Sequence, residues 1–279
     1  MLSYRHAFHA GNHADVFKHA VLIHCIRHFL KKEKAFHYID THAGAGLYEL
    51  TQGFAARTRE SETGIAQLVS ANADNLPPLL RNYVHTVLNF NPTPQLEFYP
   101  GSPLIAQYLM RPHDALRLHE LHQADHDILQ THVAGDPRIL LQKRDGFRGL
   151  IKAFPPVSRR GLALIDPPYE VKTDYRIVAD AIHDARVKFP TGTILVWYPL
   201  LENELFRYLK EDLIQVSGPS WLNAEFGVSK PGPGLYGSGM WVIQPPWDLP
   251  AELEQCRAPL LQLLGAGPSA SLDVRFEIP

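Results

Sequence analysis

Short apolar runs recur along the chain with helical segments between them, and this alternation restricts the fold more than any other feature of the sequence. When a helix connects two neighbouring strands the strands lie parallel, because the helix returns the chain to the starting edge of the sheet. Parallel strands are buried on both faces and are therefore continuously apolar. The predicted strands are residues 36–40, 115–120, 138–142, 161–166, 193–198 and 240–243. We therefore expect an α/β fold with a largely parallel sheet covered by helices on both faces.

One segment, residues 50–98, interrupts this alternation. It contains helical stretches at 65–69 and 79–90 and ends in the turn-forming sequence Asn91-Pro92-Thr93-Pro94. We interpret it as a small helical insertion. The predicted division is residues 1–48 for an N-terminal lid, a helix, the first strand and its glycine turn, residues 49–98 for a helical insertion subdomain, and residues 99–279 for the remainder of the main domain.

Composition excludes several classes of protein. The 279 residues include 27 Lys and Arg against 29 Asp and Glu, a net charge of −2, so any nucleic-acid contact must come from a local patch. Cys25 and Cys256 are the only cysteines, which excludes a disulfide framework and a multi-thiolate zinc site. The sequence has neither an apolar run of the ~20 residues that span a bilayer nor a signal peptide. We expect a soluble, cytoplasmic monomer.

A glycine turn follows the first predicted strand. The strand ends at Asp40, and the turn contains Gly44 and Gly46. Because glycine has no side chain, such a turn lets the backbone pass close to a ligand. The third glycine of a dinucleotide-binding fingerprint is absent, since Tyr48 and Glu49 follow. The turn therefore disfavours a nicotinamide-dependent oxidoreductase, and a tight turn without a ligand is the alternative.

An acidic residue follows the next predicted strand. In nucleotide-binding α/β sheets, a carboxylate about 20 residues past the glycines accepts hydrogen bonds from ribose hydroxyls. Glu120 has the right setting but is too distant in sequence, unless residues 50–98 are an insertion. We therefore predict that Glu120 binds a ribose, and the alternative is an ordinary surface carboxylate.

The most informative motif is Asp166-Pro167-Pro168-Tyr169, which directly follows a buried strand. Two prolines cannot extend a central strand, and they lack N–H groups, so backbone carbonyls are left to accept hydrogen bonds from a ligand. An acidic side chain, a fixed carbonyl and an aromatic ring then meet at the carboxyl end of a strand, where α/β enzymes bind ligands. This set of groups matches an exocyclic amine on a flat ring. The alternative is a rigid turn.

The motif resembles the catalytic sequence of S-adenosylmethionine-dependent methyltransferases that modify the N6 amine of adenine. Further segments are similar to the ribosomal RNA large subunit methyltransferase J family, from residue 1 to about 247. These segments are Tyr4 to Asp15, Lys18-His19, Asp40 to Gly46, Tyr99 to Pro103, Glu120 to His122 and Ser158 to Gly161. The resemblance implies a Rossmann-like class I methyltransferase sheet, with a helical insertion, that acts on 23S ribosomal RNA.

The resemblance also implies roles for individual residues. For catalysis it implies Asp166, Pro167 and Tyr169, with Asp166 between the cofactor and the target amine and Tyr169 stacking on the base. For binding S-adenosylmethionine it implies Lys18, His19, His42, Gly44, Ser102, Glu120, Asp145, Gly146 and Asp166. For contact with RNA it implies a lid that contains Tyr4, His6 and Lys18, with Lys18 on a phosphate.

Other interpretations remain open from the sequence. A DNA adenine-N6 methyltransferase shares the Asp166 motif, and a non-enzymatic RNA-binding module is disfavoured because no RNA-reading motif is present. His24 and His28 share one helix face, but no cysteine or carboxylate completes a tetrahedral set, so we predict no metal. The basic clusters at 31–34 and 159–160 are either solvated surface or a phosphate-binding group around the predicted site.

Overall fold

Eight strands form one mixed sheet in this computed structural model, which describes residues 5–279. The order across the sheet is β10-β8-β9-β7-β6-β1-β4-β5, and β2 and β3 form a separate pair. The strands are β1 His37–Asp40, β2 Leu47–Glu49, β3 Phe98–Pro100, β4 Ala115–His119, β5 Ile139–Gln142, β6 Gly161–Ile165, β7 Thr193–Leu201, β8 Trp221–Gly227, β9 Leu235–Ile243 and β10 Ser271–Glu277.

Helices cover both faces of this sheet. The α-helices are α1 His13–Leu30, α2 Ala55–Thr58, α3 Ile65–Ser70, α4 Pro78–Leu88, α5 Ser102–Leu109, α6 Gln123–Val133, α7 Gly146–Ala153, α8 Thr173–Lys188, α9 Phe206–Ser217, α10 Leu249–Gln255 and α11 Arg257–Leu264. Short 3₁₀ turns are His6–Phe8, Glu60–Thr63 and Ala73–Asn75. One apolar core lies under α1, α4, α5, α10 and α11, and a second lies under α7, α8 and α9. The predicted Rossmann-like α/β fold is confirmed.

Five strands form the parallel part of the sheet and set the position of the site. β1 pairs in parallel with β4 and with β6, and β5 and β7 extend the parallel set on either side. Asp40, the last residue of β1, is in register with Leu118 and Leu164. The loops that follow β1, β4 and β6 therefore leave the sheet at the same edge, which is the edge where α/β proteins bind ligands.

The other part of the sheet differs from the prediction. β9 is antiparallel to β7 and to β8, and β10 is antiparallel to β8. Of these three strands only β9 was predicted, as residues 240–243, and β8 and β10 were missed. The sheet is therefore parallel on one side of β7 and antiparallel on the other.

The first helix is almost entirely buried. Asn12 begins it by accepting hydrogen bonds from the backbone N–H groups of Ala14 and Asp15, which satisfies donors that a helix leaves free at its start. Apolar residues on every side of α1, among them Phe17 and Ile26, belong to the core. A helix that is apolar all round is one that packs on all sides. This explains why the helix holds polar groups such as Lys18 away from solvent.

Residues 49–98 begin and end next to each other, because β2 pairs antiparallel with β3 in a two-stranded sheet that is separate from the main one. Within the segment, α4 contributes Leu80, Tyr83 and Val84 to the same core as α1. The boundaries of a separate insertion subdomain stay a prediction. No helix within residues 5–279 has the length and hydropathy that crossing a membrane requires.

Candidate active site

A cavity of about 890 Å³ lies at the carboxyl ends of the parallel strands. Its volume falls in the range of small-molecule and cofactor sites. The predicted site residues that line it are His6, Lys18, His19, His42, Gly44, Ser102, Glu120, Asp145, Gly146, Asp166, Pro167 and Tyr169. Tyr4 lies outside the described residues. The fold therefore brings every other predicted site residue to one cavity, although they are spread over most of the chain.

The glycine turn is tied to the end of β4 by Glu120. One carboxylate oxygen of Glu120 accepts a hydrogen bond from the backbone N–H of Gly44, 2.8 Å away, and the other accepts from His122 N–H at 2.7 Å. Gly44 has φ +62°, and a Cβ there would lie 2.5 Å from the Tyr48 hydroxyl oxygen. Burial raises the pKa of Glu120. The turn and the carboxylate thus form one unit, as the insertion hypothesis requires.

A second close backbone approach lies at the end of β5. A Cβ on Gly146 would lie only 1.8 Å from the carbonyl oxygen of Thr41. Asp145 caps α7 by accepting a hydrogen bond from the backbone N–H of Arg148. Phe147 packs edge-on against His42, with ring centroids 5.1 Å apart. Glycine is therefore required at 146 because two loops pass in contact at this wall of the cavity.

His42 is neutral at physiological pH. Burial lowers its pKa to about 4, although Asp166 and Asp145 act in the opposite direction. A hydrogen bond of 2.8 Å joins its Nδ1 to the Thr41 hydroxyl. An uncharged ring at this place does not repel a cationic ligand.

His19, on α1, is buried at the wall of the cavity and faces β3. It is only 1% exposed, and a 2.7 Å hydrogen bond joins its Nδ1 to the hydroxyl of Tyr99. Burial lowers the pKa of His19 well below its usual value. The ring is therefore a fixed, uncharged polar group that lines the cavity.

Asp40 is a buried carboxyl that the sequence analysis did not assign to the site. The hydroxyls of Ser102 and Tyr38 each donate to its Oδ2 at 2.7 Å. Burial raises the pKa of Asp40 to about 6. It holds the Ser102 hydroxyl, which lines the cavity. A polar residue at the end of an apolar strand was the signal that would have identified it.

Asp166 contacts a buried cation. The Lys18 ammonium donates to Asp166 Oδ2 at 2.5 Å and lies 3.0 Å from Asp15 Oδ1. Burial opposes the charge of Lys18, but these two carboxylates outweigh it and raise the Lys18 pKa above its usual value. Lys18 is only 5% exposed. The ammonium is therefore buried and holds two carboxylates, and the contact of Lys18 with an RNA phosphate stays a prediction.

Asp15 is a further residue that the sequence analysis did not assign to the site, although it ends one of the segments that carry the family resemblance. It is 1% exposed and lines the cavity. Its Oδ2 accepts hydrogen bonds from Gly11 N–H at 2.9 Å and from His6 Nε2 at 3.0 Å. Burial opposes its ionisation, but the charges of His6 and Lys18 hold the pKa of Asp15 well below the usual range. The residue joins the N-terminal turn to α1.

Tyr169 shapes the motif after β6. It has φ +50°, in the left-handed region that L-residues rarely adopt. Its hydroxyl donates to the Trp197 carbonyl at 2.8 Å, and its ring packs against Tyr175 with centroids 4.6 Å apart. Only 7% of the residue is exposed. This packing holds the Asp166 motif in shape and leaves little of the ring for the predicted stacking.

The basic clusters do not surround the site. Lys31 to Lys34 precede β1, and Arg159 and Arg160 precede β6, so both lie at the starting edge of the parallel strands. Arg160 donates to the carbonyl of Phe29 at 2.6 Å. The hypothesis that these charges are grouped around the site is wrong, because the site is at the other edge.

The comparisons with known proteins agree with this geometry. The family model described as Ribosomal RNA large subunit methyltransferase D, RlmJ, matches residues 33–273. Ribosomal RNA large subunit methyltransferase J from Escherichia coli (strain K12) is 46% identical over 255 residues, which cover 91% of this chain and 90% of that protein. The protein of the same name from Haemophilus influenzae is 38% identical over 282 residues and covers all of both chains.

Two solved structures are similar to this chain over nearly its whole length. The crystal structure of protein LPL1258 from Legionella pneumophila str. Philadelphia 1 has a TM-score of 0.89 at 31% identity and covers 96% of this chain and 98% of that one. A probable spermidine synthase from Corynebacterium glutamicum, 10% identical with a TM-score of 0.52, covers 94% of this chain and 75% of that one, and shows the fold alone. The family match over most of the sequence, with relatives 46% and 38% identical, shows that this chain belongs to the ribosomal RNA large subunit methyltransferase J family.

Proposed function

We propose that this protein transfers a methyl group from S-adenosylmethionine to the exocyclic N6 amine of one adenine in 23S ribosomal RNA. The observation that carries the proposal is that the Asp166-Pro167-Pro168-Tyr169 motif lines the same cavity as the glycine turn and Glu120. Membership in a ribosomal RNA methyltransferase family supports the methyl transfer and the class of RNA. The chemistry of the motif supports adenine N6 as the acceptor.

The residues at the β1 and β4 ends fit an S-adenosyl cofactor. Glu120 lines the cavity beside Gly44 and has carboxylate oxygens that ribose hydroxyls can reach. Asp145 and Gly146, at the end of β5, border the place for its adenine, and Ser102 and His19 border the methionine end. When bound, the cofactor supplies a methyl group on a sulfonium: the C–S electron pair goes to sulfur as the N6 lone pair forms the new C–N bond.

The motif after β6 would act on the amine. The N6 lone pair of adenine is delocalised into the ring and is a poor nucleophile. Hydrogen bonds from N6–H to Asp166 and to the Pro167 carbonyl would favour the pyramidal, more nucleophilic amine. They would also stabilise the positive charge that develops on N6 as the methyl group arrives. Alignment of the two reactants supplies the rest of the rate enhancement.

Lys18 determines which oxygen of Asp166 accepts the hydrogen bond from the N6 amine. Its ammonium binds Oδ2, so we assign the amine to Oδ1. Asp166 then has a fixed orientation, because one oxygen is anchored to α1 and the other faces the substrate.

The target adenine must leave its stack to enter the cavity. Unstacking is least costly in single-stranded or already disrupted RNA, where few base contacts are lost. Apolar side chains beside Asp166, among them Trp197, Ile177 and Val171, line the same cavity. These provide a surface on which an extruded base can pack.

DNA is the alternative substrate for the same chemistry. The Asp166 motif by itself does not distinguish RNA from DNA, since the amine and its ring are identical in both. The relatives at 46% and 38% identity carry names that specify ribosomal RNA. We therefore favour ribosomal RNA.

The decisive experiment maps N6-methyladenine in 23S ribosomal RNA from a strain that lacks this protein. We expect one adenine to lose its methyl group, and plasmid-borne wild-type protein to restore it. The Asp166→Ala variant at equal abundance should not restore it. An unchanged methylation map, or the loss of a methyl group at an atom other than N6, would contradict the proposal.

Calorimetry provides an independent test of the cofactor. S-adenosylmethionine and S-adenosylhomocysteine should bind, and NAD should not. Transfer of label from the methyl group to RNA but not to a DNA oligonucleotide of the same sequence would separate the two substrates.

A further inference from the structure

Asp15 is a buried carboxylate that connects three groups beside the proposed reaction. Its Oδ1 lies 3.0 Å from the Lys18 ammonium. Its Oδ2 accepts hydrogen bonds from His6 Nε2 at 3.0 Å and from Gly11 N–H at 2.9 Å. Asp15, His6 and Lys18 all line the cavity, and Asp15 is only 1% exposed. A carboxylate this deep is costly unless its partners compensate for the lost water.

The Lys18 ammonium is shared between two carboxylates. It lies 3.0 Å from Asp15 and 2.5 Å from Asp166. Asp15 adds one negative charge to the Lys18–Asp166 pair, and this difference of one charge holds whether or not His6, the other partner of Asp15, is protonated. The difference acts at short range in a buried site, where charges interact more strongly than in water.

We propose that Asp15 is a positioning residue for methyl transfer, which holds Lys18 in place and adds a negative charge beside Asp166. This inference rests on the proposed function. As the methyl group bonds to N6, the amine becomes positively charged before it loses a proton. The negative charge that Asp15 adds stabilises that transition state, and the Lys18–Asp166 pair without it stabilises the transition state less. Asp15 therefore acts on the reaction through Lys18.

A role of Asp15 in stability alone explains these contacts less well than a role in positioning Lys18. The start of α1 is already capped by Asn12, and the two side chains that bind Asp15, those of His6 and Lys18, line the cavity. Asp114 shows what a structural carboxylate of this kind looks like. It is 3% exposed, binds Arg111 and accepts from Phe36 N–H, but it lies at the starting edge of the strands. Asp114 therefore serves as a control, because it is also buried, paired with a cation and bonded to a backbone N–H, but lies away from the cavity.

The test compares Asp15→Asn with Asp114→Asn in steady-state methylation of 23S ribosomal RNA. Asp15→Asn keeps the size of the side chain and removes its charge. We expect kcat to fall about 10- to 100-fold, the usual loss when a group that supports a reacting residue is removed, with little change in the KM for RNA. S-adenosylhomocysteine should bind as in the wild type. Asp114→Asn should lower the melting temperature and leave kcat unchanged.

A second pair of variants separates charge from shape. Asp15→Glu and Asp15→Gln are equally long, and only Glu retains the negative charge. We expect Glu to retain more kcat than Gln, and this comparison also serves if Asp15→Asn does not fold. Equal kcat for Glu and Gln, or wild-type kcat in folded Asp15→Asn, would overturn the inference. Failure of the wild type to methylate adenine N6 in the same assay would instead contradict the proposed function.

Discussion

Glu120 uses both carboxylate oxygens on backbone N–H groups, those of Gly44 and His122. It therefore supports the shape of the glycine turn as well as the proposed ribose contact. Replacing Glu120 with alanine should weaken binding of S-adenosylhomocysteine by about 1.5 to 3 kcal/mol, the range for hydrogen bonds to a charged group. Calorimetry measures this, with Glu33→Ala, an exposed residue at the other edge of the sheet, as the control. An unchanged dissociation constant would remove Glu120 from the site.

Asp166 is the residue on which the proposed chemistry depends. Asp166→Ala should abolish methylation while leaving the fold intact, because the carboxylate orients the amine and stabilises its charge. Asp166→Asn retains an acceptor oxygen and cannot take a proton, so substantial residual activity would favour orientation over proton abstraction. Single-turnover kinetics with thermal melts distinguishes these outcomes. Wild-type turnover in folded Asp166→Ala would exclude this residue from catalysis.

Asp40 makes the stability of the protein depend on pH. Burial raises its pKa from 3.8 to about 6, so the folded protein holds a proton that the unfolded carboxyl has released. The free energy of unfolding should therefore fall as pH rises from about 4 to about 6 and level off above this. Asp40→Asn should remove this part of the slope, as measured by urea unfolding across the range. Asp180→Asn, at an exposed residue, should leave the pH dependence of the free energy of unfolding unchanged. The wild-type pH dependence in Asp40→Asn would contradict the raised pKa of Asp40.

At the scale of elements, the N-terminal 3₁₀ turn is tied to the site from several directions. His6 bonds to Asp15, His9 bonds to Glu60 at 2.9 Å, and the rings of Phe8 and Phe54 lie 4.5 Å apart. Deleting residues 2–10 should lower RNA methylation strongly, because the deletion removes His6 from the cavity wall. The core elements do not depend on these contacts, so far-UV circular dichroism should stay close to wild type. Wild-type methylation by the truncated protein would exclude a catalytic contribution of this segment.

The elements that could be predicted from sequence are those whose signal is local. β6 is a continuous apolar run and β7 is almost one, because helices cover both faces of these strands. β1 and β4 are shorter apolar runs that also contain polar residues. β10 carries a different signal: Leu272, Val274 and Phe276 alternate with polar residues, the pattern of a strand with one exposed face. This alternation of apolar and polar residues would have predicted a strand. It would not have predicted β8 as the antiparallel partner of β10, because tertiary packing decides that pairing.

The chain is also held together between its first helix and its C-terminal part. Asp248, directly before α10, accepts hydrogen bonds from His24 at 3.0 Å and Lys31 at 2.9 Å. His24 lies in α1, and Lys31 directly follows that helix. Burial opposes its ionisation, but Lys31 and His24 outweigh it and lower the pKa of Asp248. Its contribution to stability is therefore present above the usual carboxyl pKa and is lost as pH falls through the lowered value.

Removing this carboxylate should loosen the C-terminal part from α1. Asp248→Ala should lower the free energy of unfolding by about 1 to 2 kcal/mol at neutral pH, since the pair is only partly shielded from solvent. The loss should shrink in acid. Denaturant unfolding at two pH values checks this, with Asp184→Ala, at an exposed residue on α8, as the control. Equal losses at both pH values would contradict the ionic basis.

For the molecule as a whole, the motifs could be found from sequence, but their contacts could not. The Asp166 motif and the glycine turn follow apolar strands, and this local context predicts that both lie at one edge of the sheet. The pairing of Lys18 with Asp15 and Asp166 depends on where a buried helix crosses the sheet, and Lys18 alone resembles any surface cation. This is why the sequence did not reveal the two carboxylates that Lys18 binds, and why Asp15 was not assigned to the site.

The Lys18–Asp166 pair joins residues that are 148 positions apart, and this separation orders events in time. A ribosome synthesises Lys18 near the beginning of translation and Asp166 well past the middle. Until β6 has emerged and paired with β1, the ammonium has no Asp166 to hold, and the proposed acceptor of the amine is not in place. A nascent chain that already contains the glycine turn, Glu120 and the helix that carries Lys18 is therefore still inactive. The proposed active site can therefore be complete only after β6 has been synthesised, although the helix that carries Lys18 is made near the start.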